Sequence, residues 1–125
     1  MILGIGIDVV DSVRISRVLD RYGRRFAKRV FTEKEQEYCS QKHNPIESYA
    51  ARFAVKEAAF KALGRGWDEC GGFTSVEVVS DAGNLPHLVF HGEARRNAEI
   101  LGVHNAHVSI THDGGIAAAV VVLER

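Results

Sequence analysis

The stretch that decides the fold is Asn44-Pro45-Ile46-Glu47-Ser48-Tyr49-Ala50-Ala51-Arg52-Phe53-Ala54-Val55-Lys56-Glu57-Ala58-Ala59-Phe60-Lys61-Ala62-Leu63-Gly64. Asn44 reads as a helix cap and Pro45 as a first-turn proline, while Gly64 and Gly66 stop the helix after Leu63. One long helix is therefore expected, with Ala50, Phe53, Ala54, Glu57 and Phe60 on its inward stripe and Lys61 one turn after Glu57 on the same side. A carboxylate that faces inward is costly unless it is neutralised, and three partners can do this: Lys61, a proton or a metal ion.

Working outward, Leu3, Ile5, Ile7 and Val9 alternate with Gly4, Gly6 and Asp8. This is a strand with one apolar face and one face almost bare of side-chain volume, on which Asp8 stands beside open space. Asp11 or Ser12 can cap the helix that follows, and Gly23 ends or bends it. Thr32 with Glu35 has the form of a capping box, so a second short helix should reach about Cys39. Beyond Gly71-Gly72, Phe73 to Val79 and Leu88 to Phe90 flank the turn Asp81-Ala82-Gly83-Asn84 and predict a β-hairpin. Glu93 to Leu101 is an amphipathic helix stopped by Gly102. Val108 to Thr111, a turn at His112 to Gly115, and Ile116 to Leu123 predict a last strand pair. The final strand is so uniformly apolar that both its faces should be covered. The pattern is α+β: a small, antiparallel-rich sheet packed with a long central helix and shorter ones.

The chain has 125 residues, 46% hydrophobic and 26% charged, which suits a single domain over residues 1–125 with one core. A core of this size leaves any large pocket to be shared with another subunit. No apolar run approaches the ~20 residues that cross a bilayer, and the start of the chain, cut by Asp8 and without a cationic segment, does not read as a signal peptide. A cytoplasmic protein is expected, with no membrane partner. Cys39 and Cys70 have no paired spacing and read as ordinary thiols.

Sixteen basic and sixteen acidic side chains cancel, but their placement is uneven. Arg14, Arg17, Arg21, Arg24, Arg25 and Lys28 fall in one short segment opposed only by Asp20. Placed on a helix, most of them recur at steps of three and four beside an apolar stripe of Ile15, Val18, Leu19, Tyr22 and Phe26. Such a ridge repels itself, a cost that an acidic partner would remove, and it would steer that partner during encounter.

A helix packed on the bare face of the first strand would bring Glu57 against Asp8. Two carboxylates at one site repel unless a cation lies between them. Hard oxygen donors, with no histidine or thiol at metal spacing, suit Mg²⁺, which keeps several waters and takes further ligands from substrate phosphates. Lys61, Arg52, Lys56 and the turn Gly64-Arg65-Gly66 offer phosphate donors along the same helix. His112 can reach a phosphate or cap its loop, and His43, His87, His91, His104 and His107 read as surface. Trp67 covers an adenine or, as favoured here, belongs to the core. Neither Gly4-x-Gly6 nor Gly64-x-Gly66 makes a dinucleotide fingerprint, since no third glycine opens a helix.

Ile5-Gly6-Ile7-Asp8 with Arg14 following, Arg52 to Ala62, Val108 to His112 and Ala117 to Glu124 together resemble the holo-[acyl-carrier-protein] synthases, the short 4′-phosphopantetheinyl transferases of bacterial fatty-acid synthesis. The resemblance covers essentially the whole chain. It implies transfer of 4′-phosphopantetheine from coenzyme A to a serine of apo-acyl carrier protein, with release of adenosine 3′,5′-bisphosphate. Under it, Asp8 and Glu57 become Mg²⁺ ligands and, with Lys61, the catalytic set. Lys61 holds the phosphate or helps proton transfer, and the serine proton has three possible acceptors: metal-bound water, a carboxylate and Lys61. Arg52 and His112 match positions for the nucleotide's 3′-phosphate, and Gly64, Arg65 and Gly66 the turn beside the pantetheine and pyrophosphate. Arg14, Arg17, Arg21, Arg24, Arg25 and Lys28 acquire the acidic carrier as partner. The family resembled is typically a homotrimer that binds coenzyme A between subunits.

Two other classes compete. An aspartate on an Ile-Gly-Ile strand also resembles the first strand of Mg²⁺-dependent nucleases, but those need three or four convergent carboxylates and this chain offers no third on a core face. A non-catalytic adaptor for an acidic helix would explain the ridge and leave Glu57 without a purpose.

Overall fold

The computed structural model describes residues 1–80 and 85–125, so the expected turn at 81–84 lies outside the described residues. The chain opens with β1 (Ile2–Asp11), whose last residue caps α1 (Ser12–Tyr22) by accepting from the Val13 amide at 2.9 Å. Gly23, at φ +52°, ends α1 as the sequence allowed, and α2 (Arg24–Val30) carries the rest of the cationic segment. Both halves of the Thr32–Glu35 capping box form and open α3 (Glu33–Ser40). The long helix is α4 (Pro45–Leu63), capped by Asn44 and closed by Gly64 in the left-handed region at φ +71°. Its ends were readable because capping is chemistry within one turn.

A 3-10 turn (Phe73–Ser75) replaces the start of the strand expected from Phe73, and β2 (Val76–Val79) pairs only with β3 (His87–Phe90). After α5 (Gly92–Leu101), β4 (Asn105–Asp113) and β5 (Ile116–Glu124) complete a three-stranded antiparallel sheet in the order β1-β5-β4. Strand pairing runs through His112 and Asp113, so His112 lies at the end of β4 and the turn is Gly114-Gly115 alone.

The inner face of this sheet, built from Ala117, Ala119, Val121 and Leu123 of β5 and the glycines of β1, packs on α4. A Cβ on Gly4 would stand 2.0 Å from the Ala62 carbonyl oxygen, and one on Gly6 only 1.7 Å from that of Ala58. The bare face of β1 therefore serves close backbone approach, and Ala58 and Ala62 complete it from the helix. The buried side of α4 is wider than the stripe read from periodicity, since Ala51, Arg52, Val55, Lys56, Ala59 and Leu63 are buried as well. The outer face differs from expectation. Ile5, Ile7 and Val9 are about 60% exposed, at 61%, 59% and 60%, beside half-buried Ala118, Val120 and Val122 of β5. Among the described residues nothing covers the outward side of β5 as fully as α4 covers its inner side.

Candidate active site

Asp8 points from β1 toward α4, where Lys61 donates to it at 3.2 Å and to the Ile7 carbonyl at 3.0 Å. Lys61 thus bridges to the strand, and no Glu57–Lys61 ion pair forms. Glu57 has neither a hydrogen bond nor an ion pair among the described residues. Its burial, reinforced by the charge of Asp8, pushes its carboxyl above the usual glutamate range against the opposing pull of Lys61 and Arg14. Two mutually repelling oxygen donors, one of them partly desolvated, form a place that a divalent cation would relieve. No group of three or more His, Cys, Asp or Glu that could hold a metal occurs among the described residues.

The turn after α4 arranges its donors differently from expectation. Arg65 pairs with Glu69 at 3.3 Å, and the Gly66 amide donates to the same carboxylate at 3.1 Å. Glu69 therefore occupies two donors that the sequence offered to a phosphate. Lys56 is also corrected. It is fully buried, 2.8 Å from the carboxylate of buried Glu35, and donates to the Phe73 and Val76 carbonyls, so it faces away from any ligand. Trp67 is 51% exposed and stacks on Phe73 with ring centroids 5.5 Å apart, so it is not a core residue.

A second concavity of about 700 Å³ lies on the β4 side of the sheet, bounded by Arg52, Glu47, Lys42, His43, Ser109 and His112 among others. Arg52 is only 4% exposed. Its guanidinium donates to the Ser80 hydroxyl at 3.1 Å, while its Nε has no partner among the described residues. A buried cation with an unsatisfied donor beside an open cleft is built for an anion. His112 Nδ1 stands 2.8 Å from a Glu47 carboxylate oxygen, so an acid shares this basic cleft; Asp113, the neighbour that the sequence made suspect, is exposed. Sequence reasoning brought Arg52 and His112 here, and it missed Tyr38, Lys42, Glu47 and Ser80. None of these stands in a motif, and only the fold gathers them.

The cationic residues Arg14, Arg17, Arg21, Arg24, Arg25 and Lys28 are all exposed. They are divided between α1 and α2. Between the two helices runs a groove of about 580 Å³ lined by Val18, Tyr22, Phe26, Arg25, Lys28 and Arg29. The stripe expected to be covered is thus partly open, with Tyr22 half exposed. An apolar floor with cationic walls fits an amphipathic acidic helix.

The chain is similar to known proteins over essentially its whole length. The 4′-phosphopantetheinyl transferase superfamily matches residues 4–121. A holo-[acyl-carrier-protein] synthase of Koribacter versatilis is 47% identical over 126 residues, covering 99% of each chain. One from Maridesulfovibrio salexigens is 47% identical over 125 residues, covering 100% of both. Among solved structures, the Neisseria meningitidis holo-[acyl-carrier-protein] synthase superposes with a TM-score of 0.91 at 32% identity over 100% of both chains. The Helicobacter pylori synthase in complex with coenzyme A gives 0.84 at 31% identity, covering 96% of this chain and 99% of that one. On these matches the chain belongs to the 4′-phosphopantetheinyl transferase superfamily.

Proposed function

We propose that this protein is a single-domain, Mg²⁺-dependent holo-[acyl-carrier-protein] synthase that moves 4′-phosphopantetheine from coenzyme A to a serine of apo-acyl carrier protein. The observation that carries the proposal is the pairing of Asp8 with desolvated Glu57, with Lys61 reaching over Asp8. In the reaction, the serine oxygen bonds to the pantetheine-bearing phosphorus and the bond from that phosphorus to the bridging pyrophosphate oxygen breaks. The electron pair leaves with adenosine 3′,5′-bisphosphate.

The donor set suits Mg²⁺: two carboxylates, no nitrogen or sulfur ligand, and room for water and phosphate oxygens. Asp8 and Glu57 would hold the ion, which when bound neutralises charge on the pyrophosphate oxygens. Lys61 Nζ, 54% exposed at its side chain, can swing from Asp8 to a phosphate oxygen; the serine proton has as acceptors a metal-bound water, a carboxylate, or Lys61 once it has lost its own proton. Arg52 and His112 would hold the nucleotide's 3′-phosphate, and Gly64, Arg65 and Gly66 would lie beside the pantetheine once the arm displaces Glu69. Arg14, Arg17, Arg21, Arg24, Arg25 and Lys28 would take the acidic carrier.

Asp8 and the cleft lie toward opposite edges of the sheet, because β5 runs between β1 and β4 and the buried alanines Ala54 and Ala58 of α4 fill the space above it. This supports a homotrimer in which the ligand lies between subunits, and the exposed face of Ile5, Ile7 and Val9 supplies apolar surface for such an assembly. Among the described residues no helix is long and apolar enough to cross a membrane, and a cytoplasmic location is part of the proposal.

Incubation with coenzyme A, Mg²⁺ and apo-acyl carrier protein should add the mass of phosphopantetheine to the carrier, and no addition would overturn the proposal. Asp8→Ala and Glu57→Ala should each lower the rate by about a thousandfold, the scale of losing transition-state charge stabilisation, with unchanged circular dichroism. Arg14→Glu with Arg21→Glu should instead raise KM for the carrier and flatten its salt dependence while leaving coenzyme A binding intact.

A further inference from the structure

Tyr38, on α3, belongs to no motif, yet two cations converge on it. The Arg52 guanidinium carbon is 3.9 Å from the centroid of its ring and the Lys42 ammonium is 4.4 Å away. Burial alone would raise the Tyr38 phenol, but Lys42 and Arg52 outweigh it and hold the group below the usual tyrosine range. Arg52 itself reaches the cleft from the middle of α4 through a flexible stem. Its one protein hydrogen bond among the described residues, to Ser80, fixes a point and leaves rotation about that bond free. The second restraint is the aromatic face. A guanidinium against a ring keeps its own N–H groups, which lie in its plane, available at the edges. Arg52 lines the cleft while its unpartnered Nε is buried, so the edge that meets a ligand is the terminal one.

We propose that Tyr38 is a positioning residue for the anion-binding end of the site, its ring setting the plane of the Arg52 guanidinium so that the terminal N–H groups are presented to a phosphate in the cleft. This rests on the assignment of the cleft to the ribose phosphate of coenzyme A. Holding Lys42 against the same ring places a second cation within reach of that phosphate. The mutual repulsion of the two cations in the free protein is relieved when the anion arrives. Preorganisation of this kind acts on ligand affinity and leaves the chemical step, at Asp8 and Glu57, unaltered.

Steady-state transfer to the carrier tests this with coenzyme A and with 3′-dephospho-coenzyme A as donors. Tyr38→Leu, which keeps apolar volume and loses the π face, should raise KM for coenzyme A about tenfold and leave kcat within about twofold. Its KM for the dephospho donor should not move. Tyr38→Phe, which keeps the ring, should restore KM. In an Arg52→Ala background, Tyr38→Leu should add nothing, because the group it positions is gone. Thermal melts of Tyr38→Leu and Tyr38→Phe separate these effects from a general loss of fold. An unchanged KM in Tyr38→Leu, an equal rise for both donors, a fall in kcat alone, or full additivity with Arg52→Ala would each overturn the inference while leaving the transferase proposal standing. A wild-type protein that cannot use coenzyme A at all would overturn both.

Discussion

Gly6 is the position where one added carbon would separate the two carboxylates. Its Cβ would lie 1.7 Å from the Ala58 carbonyl oxygen. That obstacle is backbone of the central helix, which cannot rotate away as a side chain can. Gly6→Ala should therefore push β1 off α4, lowering stability by about 3 kcal/mol, the upper end of ordinary overpacking, and reducing transfer in whatever remains folded because Asp8 moves with β1. Denaturant titration and the transfer assay measure the two effects, and an unchanged midpoint would mean that the strand and helix have slack between them. Asp8 and Glu57 were legible in the sequence because each breaks a pattern: an acid in an apolar–glycine alternation and an acid on an inward helical stripe. Tyr38, Lys42, Glu47 and Ser80 break none. Their proximity to Arg52 and His112 is a product of packing between segments far apart in the chain. Lys56 was misjudged for the same reason, since its partner Glu35 lies on another helix.

That Lys56–Glu35 pair holds α4 against its neighbouring elements. Lys56 also donates to the carbonyls of Phe73 and Val76, and Glu35 accepts from the amides of Thr32 and Val78, each at 2.8 Å. Burial pushes the Lys56 amine down, against the pull of Glu35 that favours its charge. All these partners are satisfied, so removing one strands the others. Lys56→Met should cost about 3–5 kcal/mol, the scale for breaking a buried pair from one side. The double variant with Glu35→Gln should cost less than the sum of the two single changes, because the second removes the orphaned charge. Denaturant midpoints for the three proteins test this, and additive losses would show that the pair is not coupled. Among the elements, those whose ends are set by local chemistry were legible: the Thr32–Glu35 box, the Asn44 cap and the glycine stops of α4 and α5. Phe73–Ser75 was misread as strand because an apolar start followed by Thr and Ser has no signal that distinguishes an extended segment from a single 3-10 turn. The cationic residues were phased along one helix, but Gly23, read as its end or bend, does end α1.

At the scale of the whole molecule, β5 was expected to be covered on both faces, and the described residues cover only one of them fully. The apolar count along β5 was read correctly as demand for burial, but a sequence does not say whether the cover comes from the same chain or from another copy. The location of the chemistry bears on the same question, because Asp8 lies on β1 and the Arg52 cleft opens toward β4, with β5 between the two strands. If each active site takes its carboxylates from one subunit and its phosphate cleft from the next, two defective proteins can repair each other. Asp8→Ala lacks the carboxylate and Arg52→Ala lacks the cleft cation, so each alone should be nearly inactive when coenzyme A is kept well below the KM of the Arg52 variant. After dissociation and reassembly as an equal mixture, about one quarter of the sites would join an intact Asp8 to an intact Arg52 from its neighbour, given random assortment in a cyclic oligomer. Transfer activity should rise on mixing to roughly that fraction of wild type, with sedimentation showing three copies per particle. Within one subunit no such recovery is possible, since every chain in the mixture carries one defect. A mixture that stays at the level of its components would therefore place both halves of the site in a single chain and leave the exposed sheet face without a catalytic reason.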